Sequence, residues 1–348
     1  MEICLPHYSL EDFKQQIPTL TSVYDFQNVL SRHFVEHFIN ISTSKVHYTG
    51  IENLEQDSSY LFIANHRDIA FDSAMLQSYC FRSGFNTTKI AIGDNLISTP
   101  LLVEVARLNK MFLVKRSVTI REKLTNYQLL SEFIRYSLFK EHESVWIAQR
   151  DGRTKNGIDK TKQGLVKMLS MGKEKDPIKA LRKLKITPLT VSYEFEPCDH
   201  LKARELALSE AGPYQKKAGE DFESIKQGIF GFKGEACLVI GKPLIEELNH
   251  ISPLLNSNDK INEVCKLIDC QIYQNYQLFP TNYIAYDILQ NGNEFSDRYT
   301  IEQKEKFTAY LHKKAVTEDV SFEKMMNNLL HIYGNPVMTC LKNERNNL

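Results

Sequence analysis

The chain has 348 residues, which exceeds one typical core, so one enlarged domain or a core with an added part is expected. Hydrophobic residues make up 42% of the sequence and charged residues 25%, as in ordinary globular proteins. The 43 Lys and Arg residues equal the 43 Asp and Glu residues in number, so the net charge predicts no nucleic-acid partner.

In chain order, the first 42 residues have a helical pattern that Pro18 interrupts. From Lys45 to about Leu244, short β-rich runs alternate with helical stretches, and from Ile251 onward the pattern is almost wholly helical. This alternation predicts an α/β fold, a mixed and mostly parallel sheet covered by helices, with helical N- and C-terminal extensions. We expect an N-terminal helical segment over 1–44, an α/β core over 45–250 and a C-terminal helical region over 251–348.

The individual elements follow from the same patterns. The predicted strands are Lys45–Tyr48, Tyr60–Ala64, Lys89–Ile92, Met111–Lys115, Ser144–Ala148, Ile186–Tyr193 and Ala236–Ile240. The predicted helices are about 9–17 and 22–42, then Asp72–Arg82, Pro100–Leu108, Ile120–Glu141 and Ala203–Glu210. Breaks in the C-terminal helices are expected near Pro280, Asn291–Asn293 and Gly334–Pro336.

The turn after the second strand carries the candidate catalytic residues. An apolar strand ends at Asn65, and a helix is expected to begin at Asp72, which leaves His66 in the turn between them. A neutral imidazole suits a general base near pH 7, and a carboxylate on its other nitrogen would fix the tautomer. Both Asp68 and Asp72 are close enough in sequence to supply that carboxylate.

Three further strands end in polar or cationic residues. The strand from Met111 ends in Lys115 and Arg116, and the strand from Ser144 runs into a basic turn. That turn reads Arg150-Asp151-Gly152-Arg153-Thr154-Lys155-Asn156-Gly157, and the third strand carries Pro188 and ends at Tyr193. Strand ends that converge on one sheet edge can hold a phosphate with arginine forks and backbone N–H groups.

These four segments, in this order, resemble the glycerol-3-phosphate and lysophosphatidate acyltransferase family. That family carries a His–Asp block, an Arg-ended strand, a Glu-Gly-Arg turn and a Pro-containing strand. The resemblance implies that His66 and Asp72 are catalytic, with Asp68 as the alternative carboxylate. It implies substrate-binding roles for cationic and turn residues, namely Arg67, Lys115, Arg116, Arg150, Asp151, Gly152, Arg153 and Lys155.

The sequence departs from the family pattern at three points. Five residues separate His66 from Asp72 where the family has four, and we expect the loop before the helix to absorb the extra residue. Asp151 replaces the usual Glu of the third block, whose basic residues match only if one position is skipped. Lys110 stands where the second block normally begins with Gly.

The resemblance implies direct transfer of a fatty acyl group in phospholipid biosynthesis, with no covalent acyl-enzyme. The donor is an acyl thioester, either of coenzyme A (acyl-CoA) or of acyl carrier protein (acyl-ACP). The acceptor is the hydroxyl of lysophosphatidate or glycerol-3-phosphate. An amino-acid lipid hydroxyl is a further possible acceptor. No metal or organic cofactor is expected beyond the carrier of the acyl group. The alternative from another class is a non-catalytic module that binds phosphorylated lipids at a membrane surface.

Cellular location is predicted from several weak features. The seven cysteines are scattered, no basic-then-apolar leader is present, and no window approaches 18 apolar residues, which favours a cytoplasmic chain without a membrane span. Residues 150–185 hold twelve Lys and Arg against four Asp and Glu. We expect peripheral docking on the inner membrane face through the N-terminal helices and the lysines of 160–185.

Two other patterns are interpreted as decoys. His33-Phe-Val-Glu36-His37 matches a zinc-protease pattern, but its helical face also holds apolar residues and no third ligand is evident. Gly228, Gly231 and Gly234 follow a helical stretch rather than a strand, so a dinucleotide loop is not expected. The absence of G-x-S-x-G argues against a serine esterase.

Overall fold

A computed structural model describes residues 10–346, except residues 98, 117, 118, 211, 213 and 218. Its centre is a seven-stranded sheet in the order β1-β7-β6-β2-β5-β3-β4, in which only the β6–β7 pair is antiparallel. The strands are β1 Lys45–Thr49, β2 Leu61–Ala64, β3 Lys89–Gly93, β4 Met111–Val114, β5 Val145–Ala148, β6 Ile186–Tyr193 and β7 Glu235–Ile240. The predicted mixed, mostly parallel sheet is confirmed, and every predicted strand is found to within one residue at each end.

Helices cover the sheet and extend it at both ends of the chain. The first helices are α1 Leu10–Gln16, α2 Val23–Phe26 and α3 Arg32–Ser42, with a π-helical turn Gln27–Ser31 joining the last two. The helices within the α/β part are α4 Phe71–Arg82, α5 Pro100–Leu108, α6 Ile120–Phe139, α7 Gln163–Leu169, α8 Pro177–Arg182, α9 Asp199–Ser209, α10 Glu220–Phe230 and α11 Glu246–Asn249. The last four are α12 Ser257–Gln274, α13 Pro280–Leu289, α14 Ile301–Ala315 and α15 Phe322–Asn346. The predicted terminal helices are confirmed, although residue 9 and residues 347–348 lie outside the described residues.

The two faces of the sheet form separate hydrophobic cores, because successive strand residues point to opposite sides. On β2, Leu61 and Ile63 pack with α6, α7, α8 and α12, whereas Phe62 and Ala64 pack with α3 and α4. All four are completely or almost completely buried, as expected for a central parallel strand covered on both faces. Helix α12 therefore belongs to the core of the sheet, although it lies in the C-terminal region.

A third core joins α9 to the C-terminal helices α13, α14 and α15. The expected breaks near Pro280 and Asn291–Asn293 are present, but the break at Gly334–Pro336 is wrong, because α15 continues through Pro336. Pro336 has no N–H to donate to the carbonyl four residues earlier, that of Ile332. This part of α15 is held against α13, because the Asn282 side-chain amide donates to the neighbouring Tyr333 carbonyl at 2.9 Å. Sequence alone predicts a break there because this contact between the helices is not visible in it.

The basic turn after β5 rests on two C-terminal helices. The Asn335 side chain of α15 donates to the Asn156 carbonyl at 2.7 Å, and the Thr161 backbone N–H donates to Asp269 of α12 at 2.8 Å. Gly157 has φ +76°, and a Cβ atom there would lie 2.4 Å from the Ile332 carbonyl oxygen. This approach leaves no room for a side chain at position 157.

We expect Gly157→Ala to lower the free energy of unfolding by more than the roughly 1–2 kcal/mol that a left-handed backbone alone costs an L-residue. The excess comes from the collision with the α15 carbonyl, which cannot move without shifting the helix. Gly152→Ala is the matched control, because Gly152 has φ +69° and open space around its Cβ position. Urea unfolding of both variants measures the difference, and equal losses would contradict the proposed close approach.

The carboxyl group of Asp269 has a raised pKa. Burial raises it from 3.8 to about 6, although hydrogen bonds from Thr161 oppose the shift. The native state then binds the proton more tightly than the unfolded chain, so the free energy of unfolding falls as pH rises from about 4 to about 6. Two pKa units correspond to about 3 kcal/mol. Asp269→Asn keeps an oxygen that can accept from Thr161, so it should stabilise the protein by up to that amount.

This gain should be present at about pH 8 and nearly absent at about pH 4, as measured by urea unfolding at both values. Asp297→Asn serves as the control, since the Asp297 side chain is 75% exposed. Its replacement should change the free energy of unfolding by less than about 1 kcal/mol at either pH. A gain from Asp269→Asn that does not change with pH would contradict the role assigned to its ionisation.

Candidate active site

His66 and Asp72 lie together at the carboxyl end of β2. His66 Nδ1 is 2.9 Å from Asp72 Oδ2, and the two residues are 8% and 0% exposed. Because a carboxylate can only accept, the proton lies on Nδ1, and Nε2 keeps its lone pair. The ring also meets Trp146 edge to face, with centroids 5.8 Å apart. An imidazole that a carboxylate holds in this way is able to act as a general base.

Asp72 accepts several other hydrogen bonds. Its Oδ2 accepts from the backbone N–H groups of Arg67 at 2.7 Å and Asp68 at 3.0 Å, and its Oδ1 accepts from the Tyr193 hydroxyl at 2.7 Å. Burial, together with the charge of Asp72, raises the pKa of the Tyr193 hydroxyl, which keeps it a donor. The four donors hold the carboxylate in one orientation in a site without water contact.

The start of α4 lies one residue before the predicted start at Asp72. The helix begins at Phe71, and Asp68 performs the capping role, since its Oδ1 accepts from the backbone N–H groups of Ala70 and Phe71 at 3.0 and 2.8 Å. Asp68 does not contact the imidazole. The residue in excess of the family spacing is accommodated in this capped loop, which brings Asp72 rather than Asp68 to His66.

A buried cation lies beside the two aspartates. Lys233 is 1% exposed, its ammonium group donates to the Gly231 carbonyl at 2.8 Å and lies 4.1 Å from the Phe71 ring centroid. Burial lowers the pKa of Lys233 to about 8, although the charges of Asp68 and Asp72 oppose the shift. No sequence pattern distinguished this lysine, because its partners are distant in the chain.

His66 lies on the wall of a cavity of about 490 Å³. Its lining is mainly apolar and comes from the N-terminal helices, α4, α5, α10 and the ends of three strands. The apolar members include Phe26, Phe34, Val35, Phe38, Ile69, Ala74, Ile90, Ile92, Leu102, Val105, Ala106, Met111, Trp146, Ile225 and Ile229. Among the described lining residues, only Arg116 and Arg150 carry a permanent charge. Such a cavity suits a long apolar group with an anionic end.

Arg116 and Arg150 also line a smaller cavity of about 110 Å³ that adjoins the first. Lys162 and Asp151 complete its charged residues. Arg150 is half-buried, and its Nε has no hydrogen-bond partner among the described residues. Three cations and one carboxylate around a small recess form a site that suits a phosphate. No sequence pattern singled out Lys162, which is one of twelve cations between residues 150 and 185.

Lys110 explains one departure from the family pattern. Its backbone has φ 54°, in the left-handed region, just before β4. A glycine adopts this conformation at no steric cost, which is a physical reason for the glycine that the family usually carries there. In this chain the ammonium group of Lys110 pairs with Glu143 at 3.1 Å.

Several predicted substrate-binding residues are engaged elsewhere. Arg67 is 1% exposed and pairs with Asp159 and Glu196, so its guanidinium is not available to a substrate. Lys155 pairs with Glu205 on α9. Both cations are thus paired with carboxylates from distant parts of the chain, and the structure does not favour a substrate contact for either.

The other predicted residues of the basic turn and of the strand end at β4 differ in exposure. Arg153 is 8% exposed and buried beside Cys198, while Lys115, Asp151 and Arg116 are exposed. Arg153 Nη1 has no partner among the described residues, and Gly152 forms the left-handed turn before it. Of the cations singled out in the sequence, Arg116 and Arg150 are thus the two that the structure brings to the cavity with His66.

The zinc-protease pattern does not form a metal site in the described part of the chain. Glu36 pairs with Arg32 at 3.2 Å and with Arg82 at 3.7 Å. No group of three or more His, Cys, Asp or Glu side chains in the described residues is arranged to hold a metal ion.

The family model described as Acyltransferase matches residues 45–192, which include His66, Asp72, Arg116 and Arg150. No curated protein matches the sequence. A crystal structure of the 1-acyl-sn-glycerophosphate (LPA) acyltransferase PlsC from Thermotoga maritima is similar over 73% of this chain and 83% of that chain, at 16% identity and a TM-score of 0.39. A likeness of that size identifies no substrate. Over the segment 45–192, which is 148 of its 348 residues, the chain is therefore similar to acyltransferases.

Proposed function

We propose that this protein transfers a fatty acyl group from an acyl thioester to the hydroxyl of lysophosphatidate or glycerol-3-phosphate in phospholipid synthesis. One observation carries the proposal: the His66–Asp72 pair lies on the wall of an apolar cavity whose charged lining residues, among those described, are two arginines. A base, an apolar compartment and a cationic recess are the three parts that this reaction requires.

In the proposed mechanism His66 Nε2 takes the proton of the acceptor hydroxyl as the oxygen attacks the thioester carbonyl. Asp72 stabilises the imidazolium that forms and keeps Nδ1 protonated throughout. The tetrahedral intermediate then collapses, the C–S bond breaks, and the proton on Nε2 passes to the departing thiolate. No acyl-enzyme forms, and His66 is the one residue that accepts the proton and returns it.

Two compartments support the assignment of substrate groups. The acyl chain fits the apolar cavity, where burial of each methylene contributes about 0.8 kcal/mol. The acceptor's phosphate fits the recess of Arg116, Arg150 and Lys162, since arginine forks bind phosphate with two parallel hydrogen bonds. Acyl-CoA and acyl carrier protein both remain candidate donors, because each presents the same thioester.

We also propose that the protein docks on a membrane surface to obtain its acceptor. No helix among the described residues is both long enough and apolar enough to cross a bilayer. The N-terminal helices, whose Phe26 and Phe34 line the cavity, also carry exposed apolar side chains, including Ile17 at 47% and Tyr24 at 59% exposure. Docking through these helices would place the cavity close to the lipid.

We expect His66→Ala to lower kcat for acyl transfer by about 10²–10⁴, the usual contribution of a general base. Asp72→Asn should also lower it strongly, since an amide cannot accept all four hydrogen bonds or stabilise the imidazolium. Transfer from a labelled acyl thioester to lysophosphatidate measures both.

The matched control is His47→Ala, which removes an imidazole that pairs with Glu235 on the far side of the sheet. Wild-type turnover by His66→Ala would refute the catalytic assignment. Binding of lysophosphatidate by the wild type with no turnover would instead support a lipid-binding module.

We expect Arg150→Met to raise KM for a phosphorylated acceptor roughly tenfold or more, because a hydrogen bond to a charged group is worth about 1.5–3 kcal/mol. The KM for monoacylglycerol, which lacks the phosphate, should change little. Steady-state kinetics with both acceptors measures the contrast, and Arg121→Met on the exposed face of α6 is the control. An equal rise in KM for both acceptors would contradict a phosphate contact.

A further inference from the structure

Behind His66 lies a buried cluster of four charged side chains, which we call the ion cluster: Arg67, Asp159, Glu196 and Lys202. Their exposures are 1%, 2%, 5% and 1%, in the same order. Arg67 pairs with Asp159 at 2.8 Å and with Glu196 at 3.3 Å, and Lys202 pairs with Glu196 at 2.6 Å. Burial alone would lower the pKa of Arg67, but the charges of Asp159 and Glu196 outweigh it, so the guanidinium remains charged.

The ion cluster holds the backbone on both sides of the imidazole. The Lys202 ammonium donates to the Arg67 carbonyl at 2.6 Å, directly after His66. On the other side of His66 in the chain, the side-chain amide of Asn65 donates to Asp159 at 3.2 Å. Thr154 closes the arrangement, because its N–H donates to the His66 carbonyl at 2.7 Å and its hydroxyl donates to Asp159 at 2.6 Å.

The C-terminal helices complete the surroundings of the ion cluster. The Tyr276 ring centroid, in the segment between α12 and α13, lies 5.1 Å from Arg67 Cζ. The Tyr333 hydroxyl of α15 accepts from the Glu196 N–H at 3.0 Å and donates to Asp199 at 2.8 Å. The Asn335 contact with the Asn156 carbonyl supports the loop that carries Thr154 and Asp159.

Stability does not account for such a cluster. Removing four charges from water costs about as much free energy as their mutual attraction returns, so apolar side chains would stabilise the core equally well. What a buried ion cluster can supply is a single arrangement of its neighbours, because each donor has few alternative acceptors in a dry interior. Here the neighbours are the backbone of residues 65–67 and the loop over His66.

We propose that the ion cluster and the C-terminal helix α15 position His66 for proton transfer, so that the C-terminal helical region is a working part of the active site. Arg67 and Lys202 are positioning residues in this account, and neither contacts a substrate. The proposal rests on the proposed function of His66 as a base. It assigns a task to the part of the chain that lies beyond the residues matched by the family model.

The test compares three variants of the full chain. Asn335→Ala removes the contact from α15 to the loop, and Asn343→Ala removes a similar amide contact from the same helix, to the Cys270 carbonyl at 3.4 Å, away from the loop. Lys202→Met removes the ammonium group that holds the Arg67 carbonyl. Each is assayed for kcat and KM, for thermal unfolding, and by NMR of ¹⁵N-labelled histidine, with His66→Ala identifying the His66 signals.

We expect Asn335→Ala to lower kcat roughly tenfold with little change in KM, because a misplacement of about 1 Å can cost about a hundredfold in rate. Lys202→Met should lower kcat further, and both should shift the His66 ring signals from the pure Nδ1–H tautomer toward a mixture. Asn343→Ala should match the wild type in all three measurements.

Folded Asn335→Ala and Lys202→Met variants with wild-type kcat and unchanged His66 signals would overturn the positioning proposal, while the proposed function would stand on the His66→Ala result. If Lys202→Met does not fold, Asn335→Ala still decides. If wild type shows no acyl transfer, the proposed function fails, and the NMR signals still report whether the cluster orients the ring.

Discussion

The buried carboxylate of Asp72 is the group on which the rest of this site depends. An ionised carboxylate with no water contact is tolerated only when hydrogen-bond donors replace its hydration. Asp72 receives four donors from three places in the fold: the imidazole, two backbone N–H groups of the His66 turn, and the Tyr193 hydroxyl at the end of β6. Any movement of the turn, of α4 or of β6 would leave one of these groups unpaired. The Asp72 carboxylate thus holds α4, β6 and the His66 turn together around the imidazole that we propose as the base.

The parallel part of the sheet determines which other residues come near this pair. β2, β5, β3 and β4 are neighbours and run in the same direction, so the residues that follow them meet at one edge. His66, Arg150 and Arg116 come to one cavity for that reason, although 83 residues lie between the first two in the chain. The N-terminal helices close the cavity from the side and provide much of its apolar wall. The cavity that we propose for the lipid substrate is therefore enclosed in part by segments outside the sheet.

Charge is distributed in two different ways around His66. In front of it, Arg116, Arg150 and Lys162 line open space and are available for an anion. Behind it, Arg67 and Lys202 are balanced by Asp159 and Glu196 and are sealed from water. The first group suits recognition, because its cations have unfilled donors. The second suits rigidity, because its donors are already satisfied by neighbouring carboxylates and carbonyls.

The sequence by itself determined the elements of this protein and the turn that carries its candidate base. Apolar runs of four to eight residues separated by helical periodicity predict strands and helices from local chemistry, and the seven strands agree with the structure for that reason. His66 after an apolar strand, and cations after two others, are likewise local features. The sequence left Asp68 and Asp72 as alternatives, because a capped loop and an open one have the same spacing.

Tertiary structure alone decided which charges are free. Arg67 and Arg150 look equivalent as residues beside a strand end, yet one faces two carboxylates from distant segments and the other faces a cavity. Asp159, Glu196 and Lys202 had no pattern to mark them, and Pro336 lies within a helix that packs against α9 and α13. Pairing and burial depend on residues brought together from far along the chain. Spacing in a single sequence therefore predicts which helix, strand or turn carries a side chain. The contacts of that side chain depend on tertiary packing.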